Sequence, residues 1–303
     1  MSESMADLRR KIGSAKDLQS VVRTMKALAA SSISQYEQSV RALSDYYRTV
    51  ELGLSACFSG RETAPTPDAR TRKTNFNGAI VFGSDQGLVG QFNEALADYA
   101  IGALAALPGE SKLWAVGERV YGRLLDAGLQ VTGLFNVPNS VKAIAPLIGR
   151  IQIETEAYQS SGDFAGVYVF HNSPKSGVLY QPVCQRLLPL DGQWRQNLAN
   201  IRWPTNNIPE VMHGAETLRA LIREYLFISL FRACAESLSS ENASRLAAME
   251  RADRNIDELL ENLHGAFNRL RQSSIDEELF DVISGYEALA DGSGPREKPM
   301  PLS

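Results

Sequence analysis

The stretch MERADRNIDELLENLHGAFNRLRQSSIDEEL, Met249 to Leu279, decides the fold. It lies inside residues 210–289, which contain no proline and only Gly214, Gly265 and Gly285 as helix-weakening residues, so one very long helix is predicted over 209–289. Met249, Ile256, Leu260, Leu263, Phe267 and Leu270 share one stripe, with steps of four, three, four and three from Ile256 onward. That is the period of a coiled coil rather than the wider stripe of a compact bundle. At about 1.5 Å per residue such a helix reaches on the order of 120 Å. A single globular domain cannot bury it, so it requires a partner helix.

The other end of the chain supplies one. Leu8, Ile12, Ala15, Val22, Ala29, Ile33, Tyr36, Val40, Leu43, Tyr47, Val50 and Leu54 keep the same alternation when Gln19 and Lys26 fill two positions of the stripe. Two long helices at opposite ends of the sequence, with a folded segment between them, most simply form an antiparallel coiled coil that carries a domain. Two separate surface helices of a bundle are the alternative that periodicity leaves open.

Composition bounds the rest. The 303 residues are 44% hydrophobic and 22% charged, the balance of a soluble protein. The two helices leave a globular segment of about 130 residues. No apolar run reaches the roughly 18 residues of a membrane span, and the opening MSESMADLRRKIG lacks the apolar core of a signal peptide, so a cytosolic chain is expected. Cys57, Cys184 and Cys234 are far apart and odd in number, which argues for a reducing compartment and against disulfide or zinc frameworks. His171, His213 and His264 are equally isolated, with no metal-ligand spacing. A net charge of −4 excludes a generally basic surface and makes nucleic acid an unsuitable partner.

The first turns of the N-terminal helix, expected over 1–58, are basic: Arg9, Arg10, Lys11, Lys16, Arg23 and Lys26. Most of these read as a solvated face. Lys26 differs because it interrupts the apolar stripe, where a charge costs stability and serves register or an outside acidic partner. Residues 59–75, with Pro65 and Pro67 and no periodicity, read as a linker. An α/β domain is then expected over 76–190. Its strands are read at Ala79–Phe82, Leu113–Val116, Leu129–Phe135, Gly166–Phe170 and Val178–Leu188, with helices at Gln91–Leu107, Glu118–Ala127 and Val141–Ser160. Strands alternating with helices imply a mostly parallel sheet, with the last strand suited to an antiparallel edge. A return loop is read at 191–208 and a disordered tail at 290–303. Leu226, Phe227, Leu230 and Phe231 form an apolar patch able to dock on the α/β domain or on Leu43 to Leu54.

An enzymatic reading rests on the turn GSDQGLVG, Gly83 to Gly90. A glycine-rich turn from strand to helix is where a Rossmann domain holds pyrophosphate. Here Gly83, Gly87 and Gly90 do not match G-x-G-x-x-G, and no lysine follows to make a P-loop. Glycines needed for turning and close packing account for the segment. Asp85 beside the turn reads as a cap on the following backbone. The α/β segment holds no paired carboxylates, nucleophile elbow or metal cluster, so no catalytic residue and no cofactor is assigned.

Three separated motifs resemble one family. SSENASRLAAMERADRN (239–255) and FNRLRQSSIDEEL (267–279) are similar to the C-terminal helix of the gamma subunit of F-type ATP synthases, through Ser240-Glu241, Ala248-Met249, Ala252, Asn255, Asn268, Arg271-Gln272 and Ile275. LRRKIGSAKDLQSVVRTMKALAA resembles the family's first helix, including Met25-Lys26, and GSDQGLVGQFN resembles its segment after the first strand. Asp253, Asp276 and Tyr286 depart from the family pattern, and between residues 210 and 287 stand eight arginines, no lysine and fifteen acidic residues. These departures mark a divergent member, such as the gamma subunit of the alternative N-type ATPases of some bacteria.

The resemblance implies a non-catalytic rotor on the cytoplasmic face of a bacterial inner membrane. Its implied partners are the alpha and beta subunits of the catalytic hexamer, the epsilon subunit and the membrane ring of c subunits. Asn268, Arg271 and Gln272 match the segment that engages a loop of the beta subunit, and Met25 and Lys26 the segment facing its acidic hinge region. A plain coiled-coil scaffold with an α/β domain is the alternative, and it would have no use for motifs at both ends and in the first strand–helix turn.

Overall fold

The computed structural model describes residues 4–59, 76–160, 164–190, 192–201, 203–204 and 214–291. The element order is α1 (Met5–Ser59), β1 (Phe76–Phe82), α2 (Phe92–Ala105), β2 (Glu110–Val116), α3 (Glu118–Asp126), β3 (Val131–Phe135), α4 (Val141–Ser160), β4 (Phe164–Lys175), β5 (Val178–Leu188), α5 (Gly192–Ala199) and α6 (Gly214–Asp291). The chain divides into two compact units: Met1–Thr24 with Glu250–Ser303, and Met25–Met249. Both long helices contribute to each unit.

In the first unit α1 starts at a cap. The Ser4 hydroxyl accepts the Asp7 amide at 3.2 Å and donates to the Asp7 carboxylate at 2.8 Å, which satisfies a free N–H of the first turn. Leu8, Ile12, Ala15 and Val22 of α1 and Ile256 of α6 are buried, and Leu260, Leu263, Phe267 and Leu270 are half-buried, so the predicted stripe is the contact face. The pairing is antiparallel: Arg9 stacks over the Phe267 ring at 5.4 Å, whereas Arg23 meets Asp253 at 3.2 Å.

The second unit is built on a five-stranded sheet of order β3-β2-β1-β4-β5. β1, β2, β3 and β4 pair in parallel, and β5 runs antiparallel along β4. Side chains of β1 alternate between the two faces of the sheet. Ala79 and Val81 pack with Leu96, Ala97, Ala100 and Leu104 of α2 and Val120 and Leu124 of α3. Ile80 and Phe82 face Ile144, Leu147, Ile148 and Ile151 of α4 together with Leu230, Phe231, Cys234 and Leu238 of α6. The apolar patch at 226–231 uses both predicted docking surfaces: Leu230 and Phe231 enter the sheet-facing core, and Leu226 and Phe227 also border the cluster of Val50, Leu54 and Tyr225.

Three differences from the sequence reading concern local elements. β1, β2 and β4 extend beyond the apolar runs that announced them, because polar residues such as Asn77 and Ser173 still take part in strand pairing. Part of the segment read as a return loop is the helix α5. Its Trp194 donates to the Tyr225 hydroxyl at 3.0 Å and meets the Phe58 ring edge-on, so tertiary contact holds eight residues that show no helical period alone. α6 runs through Asp291, past the expected end at Leu289. The linker after Ser59 and the tail after Asp291 lie outside the described residues.

Candidate functional site

In a sheet of this order the crevice that receives ligands in α/β proteins opens at the carboxyl ends of β1 and β4, where successive connections depart in opposite directions. The glycine turn borders it. A Cβ on Gly83 would stand 2.4 Å from the Val120 side chain, and one on Gly117, at φ +112°, 2.7 Å from the Ser84 carbonyl oxygen. Gly90 takes a φ of +58° that glycine accepts without strain. Turning and close approach therefore account for the glycines.

The turn's hydrogen-bonding groups are turned inward. The Gly83 amide donates to the Val116 carbonyl at 2.8 Å, and the Ser84 amide donates to Asn93 Oδ1 at 3.0 Å while Asn93 Nδ2 donates to Ser84 Oγ at 2.8 Å. Asp85 accepts from the Glu118 amide at 3.0 Å and the Val137 amide at 2.8 Å. It is a cap as expected, but its target is the start of α3 and the segment after β3 rather than its own turn. Two amides a phosphate would need thus have protein partners.

α6 fills the crevice itself. Ser237 Oγ donates to the Phe82 carbonyl at the end of β1 at 2.8 Å, Ser240 Oγ to the Asn172 carbonyl of β4 at 3.0 Å, and Ser244 Oγ to the Val89 carbonyl in the turn. Asn172 Nδ2 in turn donates to the Phe92 carbonyl at 3.0 Å. Sequence reading missed this set, although serines at spacings of three and four on a helix were the available signal.

Beside it, Glu236 accepts from Arg232 Nε at 2.7 Å, Ser173 Oγ at 2.8 Å and His171 Nε2 at 3.1 Å. Burial opposes its charge, but the bonds from His171, Arg232 and Ser173 outweigh it and hold the carboxyl at about 2. Such a group is ionised at neutral pH and has no proton to give as a general acid. The adjoining cavity of about 290 Å³ is lined by Tyr47, His171, Gln185, Ser229, Arg232 and Glu236. Glu241, one turn on, is buried against Arg245 at 2.7 Å, and burial raises its carboxyl. Burial likewise raises the Cys234 thiol. Among the described residues no group of three or more histidine, cysteine or acidic side chains could hold a metal ion.

The residues assigned to partner contact lie on the helices. Asn268, Arg271 and Gln272 are exposed in the coiled-coil unit, and their spacing of three and four gathers them on one outer face of α6. Met25 and Lys26 are half-buried and belong to the unit that contains the sheet. Asp253, a departure from the family pattern, accepts from Arg23 and Gln19, and Gln19 also donates to Asp257, so the polar position in the stripe joins the two helices. Beyond Leu270 the buried stripe ends, and after a step of five a second apolar set on another face is exposed: Ile275 is 55% exposed, Leu279 56%, Val282 70% and Tyr286 75%.

The ATP synthase family model matches residues 4–289. Among curated relatives, the ATP synthase gamma chain of Dechloromonas aromatica is 26% identical over 290 residues, covering 93% of this chain and 98% of the relative. That of Rhizobium johnstonii is 28% identical and covers 94% and 99%. Among solved structures, a chain of the Euglena gracilis mitochondrial ATP synthase in its OSCP/F1/c-ring assembly superposes with a TM-score of 0.61, at 15% identity and 98% coverage of both chains. A chain of the Euglena gracilis rotor gives 0.58 at 15% identity, over 89% of this chain and 98% of that one. With the family model spanning both long helices and the sheet between them, the chain belongs to the ATP synthase family, as one of its gamma chains.

Proposed function

We propose that this chain is the rotating shaft that couples ion flow through a membrane ring of c subunits to ATP synthesis or hydrolysis in a hexamer of alpha and beta subunits. A gamma chain is a non-catalytic subunit of the ATP synthase and forms its central rotor stalk. Among the described residues no helix is long and apolar enough to cross a membrane. The place that goes with the proposed role is peripheral, on the cytoplasmic side of a bacterial inner membrane.

The observation that carries this reading is the end of α6. With Arg9 opposite Phe267 in an antiparallel pair, the start of α1 at Met5 is reached near Arg271. The exposed residues Ile275, Leu279, Val282 and Tyr286 therefore have no turn of α1 beside them. Steps of four, three and four expose one apolar stripe where a helix in water would be polar, which suits insertion into a surrounding protein ring. Such a shaft meets each of three catalytic sites with a different face, and differential contact energy then biases each site towards a different nucleotide state. Arg271 and Gln272, with Asn268 a turn earlier, supply directional donors for a beta-subunit loop. Met25 and Lys26 offer an apolar and a cationic contact for an acidic one, and the epsilon subunit would accompany the sheet-containing unit.

The test is ATP hydrolysis by alpha and beta subunits from the same source, with and without this chain. The expected result is a large stimulation and a stoichiometric complex on gel filtration; absence of both would leave a coiled-coil scaffold. In the assembled complex Arg271→Ala with Gln272→Ala is expected to lower turnover about tenfold, equivalent to roughly 1.4 kcal/mol of lost contact, without unfolding the isolated chain. Unchanged turnover would remove the contact role. Lys26→Glu is expected to reduce the ions moved per ATP more than it reduces assembly, read by ion uptake into vesicles.

A further inference from the structure

Between residues 230 and 238, most of the side chains that α6 buries against the sheet-facing core are apolar. They are Leu230, Phe231, Ala233, Cys234, Ala235 and Leu238, and three of these six side chains are small. Contacts of this kind resist separation from the sheet but are non-directional, so they set only weakly the angle to which the helix is turned about its own axis. Hydrogen bonds behave differently, because a shift of less than an ångström or a turn of a few tens of degrees destroys them.

All the directional bonds described above between α6 and the strands come from two turns. Ser237, Ser240 and Ser244 are at most 5% exposed and donate to carbonyls on three separate segments: the end of β1, β4, and the turn after β1. Glu236 adds two bonds from β4, through His171 and Ser173. Positions 236, 237, 240 and 244 lie on one face of the helix, so rotation of α6 in either sense breaks several of these bonds together.

We infer that Glu236, Ser237, Ser240 and Ser244 are positioning residues that form a torque key, which locks the rotational setting of the shaft helix in the unit containing the sheet. The inference rests on the rotor reading, since only a shaft under load needs its angular setting fixed. A key matters in proportion to the opposing torque. Without load the apolar contacts suffice to hold α6 in place. Against an ion gradient, loss of the bonds lets the helix yield before the catalytic step is completed.

The experiment compares the wild type with Ser237→Ala, Ser240→Ala and Ser244→Ala combined, and with Leu230→Ala as a control that weakens the same interface without touching a bond. The assembly of this chain with alpha and beta subunits, which works without load, is expected to hydrolyse ATP within about twofold of wild type in every variant. In the complete complex in vesicles, the serine triple variant should move fewer ions per ATP, and the deficit should grow at least severalfold as the opposing gradient is raised. Leu230→Ala should keep the wild-type ratio at all gradients. An unaltered ratio and load dependence in the triple variant would overturn the key, as would an equal loss in Leu230→Ala. A wild-type chain that fails to stimulate alpha and beta subunits would instead remove the rotor reading, and the key with it.

Discussion

At the scale of single residues, the most consequential groups are polar ones inside a largely apolar fold. Glu236 shows why they persist. Its side chain is only 12% exposed, yet bonds from His171, Arg232 and Ser173 bring its carboxyl from the ordinary 4.5 down to about 2. A group whose folded value is depressed adds stability above its unfolded value and loses it as pH falls towards the folded one. Glu236 therefore contributes on the order of 3 kcal/mol at neutral pH, most of which should vanish between about pH 4.5 and pH 2. Urea unfolding at pH 7 and pH 3 should show that fall in the wild type, with a shallower one in Glu236→Gln. Equal slopes would mean that the bonds seen here do not favour the ionised carboxyl. Asp85 makes the same point for backbone groups: its two oxygens satisfy amides on the segments after β2 and after β3, so one side chain closes two turns.

At the scale of elements, the question is what pairs the two long helices in one register. Heptads alone permit slippage by whole repeats, and the polar interruptions of the stripe remove that freedom. In the coiled-coil unit Gln19 and Arg23 reach Asp253 and Asp257 across the seam. The Arg23 side chain is 58% exposed, so the pair is worth little in stability and serves register instead. A double-mutant cycle of Arg23→Ala and Asp253→Ala should give a coupling energy below about 1 kcal/mol that fades in high salt. A coupling of several kcal/mol would show a dry pair that the geometry does not contain. α5 stands at the opposite extreme, since Trp194 and Leu198 hold it against Phe58 and Tyr225 where its own sequence has no period.

At the scale of the whole molecule, an α/β architecture that elsewhere binds nucleotides is here occupied by the chain's own helix. Ser237, Ser240 and Ser244 bond to the groups that line the crevice, and Asn93 and Val116 take up the amides of the turn. Titration of the intact chain with ATP or NAD should therefore give no heat beyond dilution. Saturable heat at a one-to-one ratio would show that the crevice can open and would revive an enzymatic reading. The same filling explains how a non-catalytic gamma chain can carry this sheet: the site where a ligand would bind has become the place where the shaft is held.

Several features were legible in the sequence because they depend on local period. The α1 stripe from Leu8 to Leu54, the stripe around Ile256 on α6, the alternation of strands and helices, and the antiparallel edge strand all follow from apolar residues recurring at the spacing their element requires. The motifs at 25–26, 83–93 and 239–279 pointed to the family for the same reason, since identity and order are properties of the chain itself. What bonds to what across the fold was not legible. That Ser240 meets the carbonyl of Asn172, that Glu236 meets His171, and that a segment without period becomes α5 under Trp194 all join residues distant in sequence. A hydrogen bond has no sequence period: its partner is chosen by the packing of the sheet and α6 around it, and only the tertiary structure decides that.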